Sequence, residues 1–352
     1  MADAATESSL EAQPYPPSWI DRFHVWVENL PVRAWIFYVL LGIALVLVQV
    51  LFLGLESGPE ADELLPIIVF NGLFTPFLLA LIHFLDRQAV VALNSMRPVI
   101  EMPEPGFAQY EYRLANMPFL APLVAGLAVT AIVIVMERIW MVPVRYAALD
   151  QRPVFTTLFY IIDKSSAFLF GVIVYHTIRQ LRLVNAINTN HIRVNLFNLR
   201  PLQAFSRLTA STAVGLVAGV YGWMLINPEL LRDPVSLVIL VGFTALAVVV
   251  FVWPLVGAHR LMEKEKERML RDIDHQFEAA FAMFNQRFQD EDYTEMDRLH
   301  GMISSLEIQH RKIKAIPTWP WRPETVRPAL TAIALPLILW VLQYLVEQVL
   351  DW

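Results

Sequence analysis

The chain has 352 residues, 56% of them apolar and only 17% charged, with a net charge of −6 and no cysteine. A soluble domain carries about a quarter charged residues, so the composition argues against a water-soluble globule. The missing cysteines exclude disulfides, thiolate metal sites and cysteine nucleophiles. No basic tract points to nucleic acid.

Residues 1–17 are polar, acidic and proline-bearing, which predicts a disordered N-terminus rather than a cleavable signal peptide. Residues 18–30 (SWIDRFHVWVENL) predict a short interfacial amphipathic helix. Ser18 and Asp21 have capping-box-like spacing, and Trp19, Phe23, Trp26 and Leu30 form one stripe suited to the headgroup boundary. Six apolar blocks follow within residues 31–258, at 33–55, 64–85, 118–140, 155–178, 208–227 and 235–258. Each is near the roughly 20 residues that a helix needs to cross hydrocarbon. Polar linkers at 86–117 and 179–207 separate them; the second carries arginines beside Leu196, Phe197, Leu199 and Phe205 and is expected to lie on the inner leaflet. In the fifth block Ser211, Gly215 and Gly219 recur every four residues, a helix-packing signal.

Residues 259–327 are the one sizeable polar insert. Met262, Met269, Ile273, Phe277, Phe281, Phe284 and Phe288 recur at mostly helical spacing, then Met296, Leu299, Ile303, Leu306 and Ile313 do so after an acidic break. This predicts a helical hairpin whose first helix can continue the sixth span. The proline-rich segment IPTWPWRPE ends it, and residues 328–352 hold a seventh apolar block. The predicted fold class is all-α: a polytopic transmembrane helical bundle of seven spans, with a cytoplasmic helical hairpin between spans six and seven. With the N-terminus inside, 22 of the 27 lysines and arginines fall on the cytoplasmic side. Four (Arg138, Arg145, Arg152 and Arg232) fall outside, and Lys164 lies within a span. The positive-inside rule therefore predicts a cytoplasmic N-terminus and an external C-terminus. The expected location is a bacterial inner (plasma) membrane.

Asp163 and Lys164 sit about nine residues into the fourth span, followed by Ser165 and Ser166. A charge at that depth costs several kcal/mol unless paired or hydrated. Adjacent residues point about 100° apart on a helix, so each charge is expected to find its own partner elsewhere. Two readings stay open: an ion, proton or substrate path, or a structural ion pair. Glu137, at the outer end of the third span, suits interface anchoring and is also a possible partner for Lys164. Gln49, Asn71, His83, His176, Tyr221 and Gln343 are polar residues within spans, where interhelical hydrogen bonding is the expected role. His83 and His176 fall near cytoplasmic ends, within reach of water. No two histidines share a span at ligand spacing, so no metal site is expected. Walker A, dinucleotide, HExxH and nucleophile-elbow motifs are all absent, so no cofactor is expected and no residue is left on which to base a reaction, although absent motifs do not exclude an intramembrane enzyme.

The stretches NLFNLRPLQAFSRL, WPLVGAHRLMEKEKERML and AIPTWPWRPETVRPALTAIALPLILWV resemble a broad set of uncharacterised bacterial multi-pass membrane proteins. That resemblance covers the C-terminal half and implies no activity. The topology alone is similar to the insect odorant and gustatory receptor channels, in which cytoplasmic helices assemble a tetramer and the last span lines the pore. That likeness implies a homo-oligomer and a pore near Gln343. Gln343-Tyr344 is a loose echo of that family's last-span motif, and Pro336 stands where its threonine belongs. Three functions follow for test: an oligomeric channel, a transporter working through Asp163 and Lys164, and a scaffold or sensor. The last would bind a cytoplasmic protein through Phe277, Phe281, Phe284 and Phe288.

Overall fold

The computed structural model describes residues 14–56, 61–139, 152–191, 196–199, 203–226, 234–289, 296–321 and 323–350. They are helical almost throughout, with no strand among them; Pro17 and Pro118 form an isolated bridge. In chain order the helices are α1 (Trp19–Glu28), α2 (Ala34–Leu55), α3 (Ala61–Met96), α4 (Glu104–Ala115), α5 (Leu120–Ile139), α6 (Pro153–Asn190), α7 (Ala204–Ile226), α8 (Pro234–Gln289), α9 (Met296–Lys314) and α10 (Pro323–Leu350).

Among the described residues, five segments are long and apolar enough to cross a membrane: Ala34–Leu55, Leu64–Val99, Leu120–Arg138, Pro153–Asn190 and Thr244–Gln289. Their outward faces are apolar. On α2, Leu40, Leu47, Leu51 and Leu55 are exposed, and only 11% of the apolar window of α5 is buried. An exposed apolar belt of this extent is stable in lipid and not in water.

Contacts at the helix ends define two faces of the bundle. At one, the Glu56 carboxylate at the end of α2 accepts hydrogen bonds from the Val154 and Phe155 amides, each at 3.0 Å, so it caps the first turn of α6. At the other, α1, the end of α3, α4 and the end of α6 meet: the Ser18 amide donates to the Met117 carbonyl, and the Glu101 amide donates to the His191 carbonyl.

Polarity in the sequence marks the edge of the apolar belt, not the end of a helix. The expected spans stop at residues 85 and 178, yet α3 continues to Met96 and α6 to Asn190. The residues beyond each boundary are good helix formers and stay packed: Ala89, Ala92, Leu93 and Met96 on α3, and Leu181, Val184 and Ile187 on α6, are buried. Part of the expected linker 86–117 is likewise helical, as the end of α3 and as α4. The expectation that α8 runs on past its apolar part holds: it has 56 residues, about 84 Å at 1.5 Å per residue. Beyond Ala258, α8 carries α9 along it through Ile273, Ala280, Leu306 and Ile313. Lys266 donates to the Lys314 and Ile316 carbonyls at the far end of that seam.

Small residues set the helix spacing. A Cβ at Gly171 would lie 2.5 Å from the Ala125 carbonyl oxygen, so α5 and α6 touch backbone to backbone. The row on α7 meets α3: Gly215 faces Leu81 and Gly219 faces Phe74.

Candidate functional site

The polar break in α6 does not face one way. Lys164 reaches α5: its Nζ donates to Glu137 Oε1 at 2.5 Å and to Asp163 Oδ2 at 2.7 Å, and it lies 5.6 Å from the centre of the Tyr160 ring. The pairing with Glu137 is thus present, alongside the neighbouring contact that helix geometry argued against. The 100° offset separates Cβ atoms, but the four-carbon lysine stem is long enough to turn back across it. Lys164, Glu137 and Asp163 are 21, 33 and 36% exposed, so the trio is half-buried on the outer side of the α5–α6 pair. Ser166 turns inward instead and shares a 2.6 Å hydrogen bond with Thr75 on α3. Ser165 is spent on its own helix, donating to the Ile161 carbonyl. Nearby, Asn71 donates to Gln49 and to the Phe159 carbonyl, tying α3 to α2 and α6. These polar residues thus stitch helices together as expected. The side chain of Gln343 lies outside the described residues.

The denser site is one that sequence reasoning left scattered. At the α1 end of the bundle, Asp86 of α3 is buried, its carboxylate 11% exposed, with His176 Nε2 2.7 Å from Oδ1 and His24 Nδ1 3.8 Å from Oδ2. The His24 ring stacks on His83 with centroids 4.7 Å apart. His83 in turn has both nitrogens occupied, Nδ1 by the Tyr38 hydroxyl at 2.9 Å and Nε2 by Glu28 at 2.8 Å. Arg87 holds the same Glu28 oxygen at 2.8 Å. Beside them Gln180 reaches the Leu85 and Leu114 carbonyls.

The cluster is built by four helices, and α1 is the piece that completes it. Ser18 caps α1, and the capping box expected from its spacing to Asp21 is present. The face that docks is Ile20, Asp21, His24 and Val27, adjacent to the expected aromatic stripe rather than on it; Trp26 is exposed. Asp21 Oδ2 accepts from the Ser18 amide, the Ser18 hydroxyl and the Met117 amide. Burial pushes the Asp21 carboxyl above its ordinary value despite these three donors, with the Asp86 charge adding to the rise. Burial also presses Glu28 upward, but the hydrogen bonds and charges of His83 and Arg87 outweigh it and leave Glu28 below its ordinary value.

His83 and His176 are therefore buried, not bathed in water as their place near span ends suggested: α1 and the helical continuations of α3 and α6 cover them. The signal available in the sequence was the pairing of Asp86 with His83 one turn before it on the same helix. Six polar atoms here are buried without a hydrogen-bond partner among the described residues: Trp19 Nε1, Asp21 Oδ1, His24 Nε2, His176 Nδ1, Thr177 Oγ1 and Gln180 Oε1. Among the described residues no group of three or more His, Asp or Glu is placed to hold a metal ion. No protein-family model, curated protein or solved structure matches this chain.

Proposed function

We propose that this chain is one subunit of an oligomeric, channel-like membrane protein. Copies associate through the outward face of the α8 extension, and α10 lines the shared path. The observation that carries this reading is the extension itself. Its seam with α9 is filled, while Phe277 and Phe281, flanking that seam, are exposed and stacked on each other. Phe288 is exposed and Phe284 half-buried on the same stretch. An apolar face on a helix that has left the membrane calls for a cover, and a second copy of the chain supplies an identical one.

The last helix supports the same reading. Ala329 and Ile333 are buried against α7 and α8, but Leu335, Ile338, Leu342 and Leu345 are exposed. The second half of α10 is therefore held little by its own chain and is available to neighbouring subunits. α7 and α10, at 23 and 28 residues, are each long enough for a further crossing, which supports a reading of seven spans. The N-terminus and the α8–α9 pair then lie in the cytoplasm of a bacterial cell and the C-terminus outside. That arrangement is similar in topology to the insect odorant and gustatory receptor channels.

A transporter is the second reading, favoured by the half-exposed Glu137, Asp163 and Lys164 on α5 and α6. A scaffold would use the same phenylalanines on a cytoplasmic protein. The mass of the full-length protein in lipid discs separates these. The expected result is a multiple of the 40.2 kDa chain, reduced by Phe281→Asp; a strict monomer removes the channel.

A further inference from the structure

Of the three imidazoles clustered around Asp86, only His83 has both nitrogens satisfied among the described residues. His176 turns Nε2 to Asp86 Oδ1, and its Nδ1 is buried with no partner among the described residues. His24 turns Nδ1 to Asp86 Oδ2, and its Nε2 is buried and likewise unpartnered. A neutral imidazole has one N–H and one lone pair. The carboxylate draws the hydrogen to the nitrogen that faces it, through a hydrogen bond in His176 and through its field at 3.8 Å in His24, so the far nitrogen of each ring is an acceptor with no donor among the described residues. Two vacant basic nitrogens thus flank one buried carboxylate.

We propose that His24, His176 and Asp86 form a proton-binding site. One proton, taken from water onto the bare nitrogen of either ring, converts the trio from a net charge of −1 to neutral. The groups facing it are Asp21 and Glu28 from α1, Tyr38 from α2, His83 and Arg87 from α3, and neutral Gln180 from α6. Arg179, on the same helix, is engaged with Tyr15. From α4 and the turn after it come the Leu114 carbonyl and the Met117 amide, neither of which titrates, and Tyr112, whose hydroxyl donates to the Tyr15 carbonyl. Glu28 is already matched by Arg87, and Asp21 adds further negative charge, so the trio is where an added proton relieves the field.

The proton also has a mechanical consequence. His24 stands 3.8 Å from Asp86, beyond hydrogen-bond range. Charging either ring strengthens its hold on the carboxylate. On His24 this draws α1 onto α3, so the site works as a clasp that tightens on proton uptake. The inference does not depend on oligomerisation.

The test uses the full-length protein in lipid discs, labelled with 13C-histidine and followed by NMR from about pH 8 to about pH 5.5, the range in which imidazoles change charge. His24→Gln and His176→Gln identify the two signals. Both are expected to move in wild type, and loss of one ring is expected to displace the other's midpoint by about one pH unit, as interacting sites do. Asp86→Asn should displace both midpoints. Signals that stay still across the range, or midpoints indifferent to loss of the other ring, overturn the site. Should Asp86→Asn fail to fold, the comparison within His24→Gln stands without it. Because the chain has no cysteine, Val25→Cys with Ser95→Cys can carry spin labels on α1 and α3. A distance distribution narrower at pH 6 than at pH 8 is expected, and an identical one overturns the clasp.

Discussion

The two charged clusters of this molecule solve the same problem in opposite ways. Glu137, Asp163 and Lys164 bring charge into the apolar belt on two adjacent helices, stay half-exposed, and are joined by one flexible side chain. His24, His83, Asp86 and His176 draw on three helices, are buried, and are joined by rings that cannot bend. The first cluster tolerates displacement, because a lysine stem follows its partners. The second depends on α1, α3 and α6 keeping their places, so its geometry reports on the bundle as a whole.

The contrast fixes where substitution hurts most. Asp86→Ala removes the carboxylate that His176 and His24 turn to and opens a space under α1. A buried donor left without its acceptor costs about 1–3 kcal/mol, and the space left behind adds to it, so a loss of at least that order is expected in detergent-monitored unfolding. Lys164→Met, in the half-exposed cluster, should cost about 1 kcal/mol or less. Equal losses at the two positions would remove the distinction.

The half-exposed cluster has its own test in a charge swap. Lys164→Glu alone places three carboxylates together within the belt and should destabilise the α5–α6 pair. Adding Glu137→Lys restores an opposite-charge contact and should recover about 1 kcal/mol through coupling of the two sites. A double variant no more stable than the worse single one would mean that the Gly171 contact with Ala125, and not the ion pair, seats α5 on α6.

These two clusters also mark how far the sequence can be read. Lys164 and Asp163 stand out because charge inside an apolar run is conspicuous, and Glu137 follows from antiparallel neighbours. The limits of α2 and α5 follow from apolar length alone. His24, Asp86 and His176 are 62 and 90 residues apart in the chain and lie where apolar runs fade, so each alone reads as an unremarkable boundary residue. What unites them is tertiary: α1 folds back over the bundle, and α3 and α6 stay helical past the belt. Hydrophobic length carries no information about either event, because it reports where lipid ends and not where the helix does.

The smallest expected effect lies in the acid response of α1, whose two carboxylates are displaced in opposite directions. Glu28 is held below its ordinary value, so it contributes stability above the unfolded-state value and loses it as pH falls through the folded one. Asp21 is raised, so its charged form penalises docking at neutral pH, and that penalty is relieved as pH falls through its folded value. On acidification α1 should hold slightly tighter as Asp21 takes a proton and more loosely as Glu28 does. Labelling rates of a single Val27→Cys, buried while α1 is docked, measured against a free thiol at each pH as it is lowered from 6, check both limbs. Asp21→Asn should erase the tightening and Glu28→Gln the loosening. If Glu28→Gln leaves the loosening in place, the His83 and Arg87 contacts are not what fastens that end of α1. The clasp at Asp86 would then carry it alone.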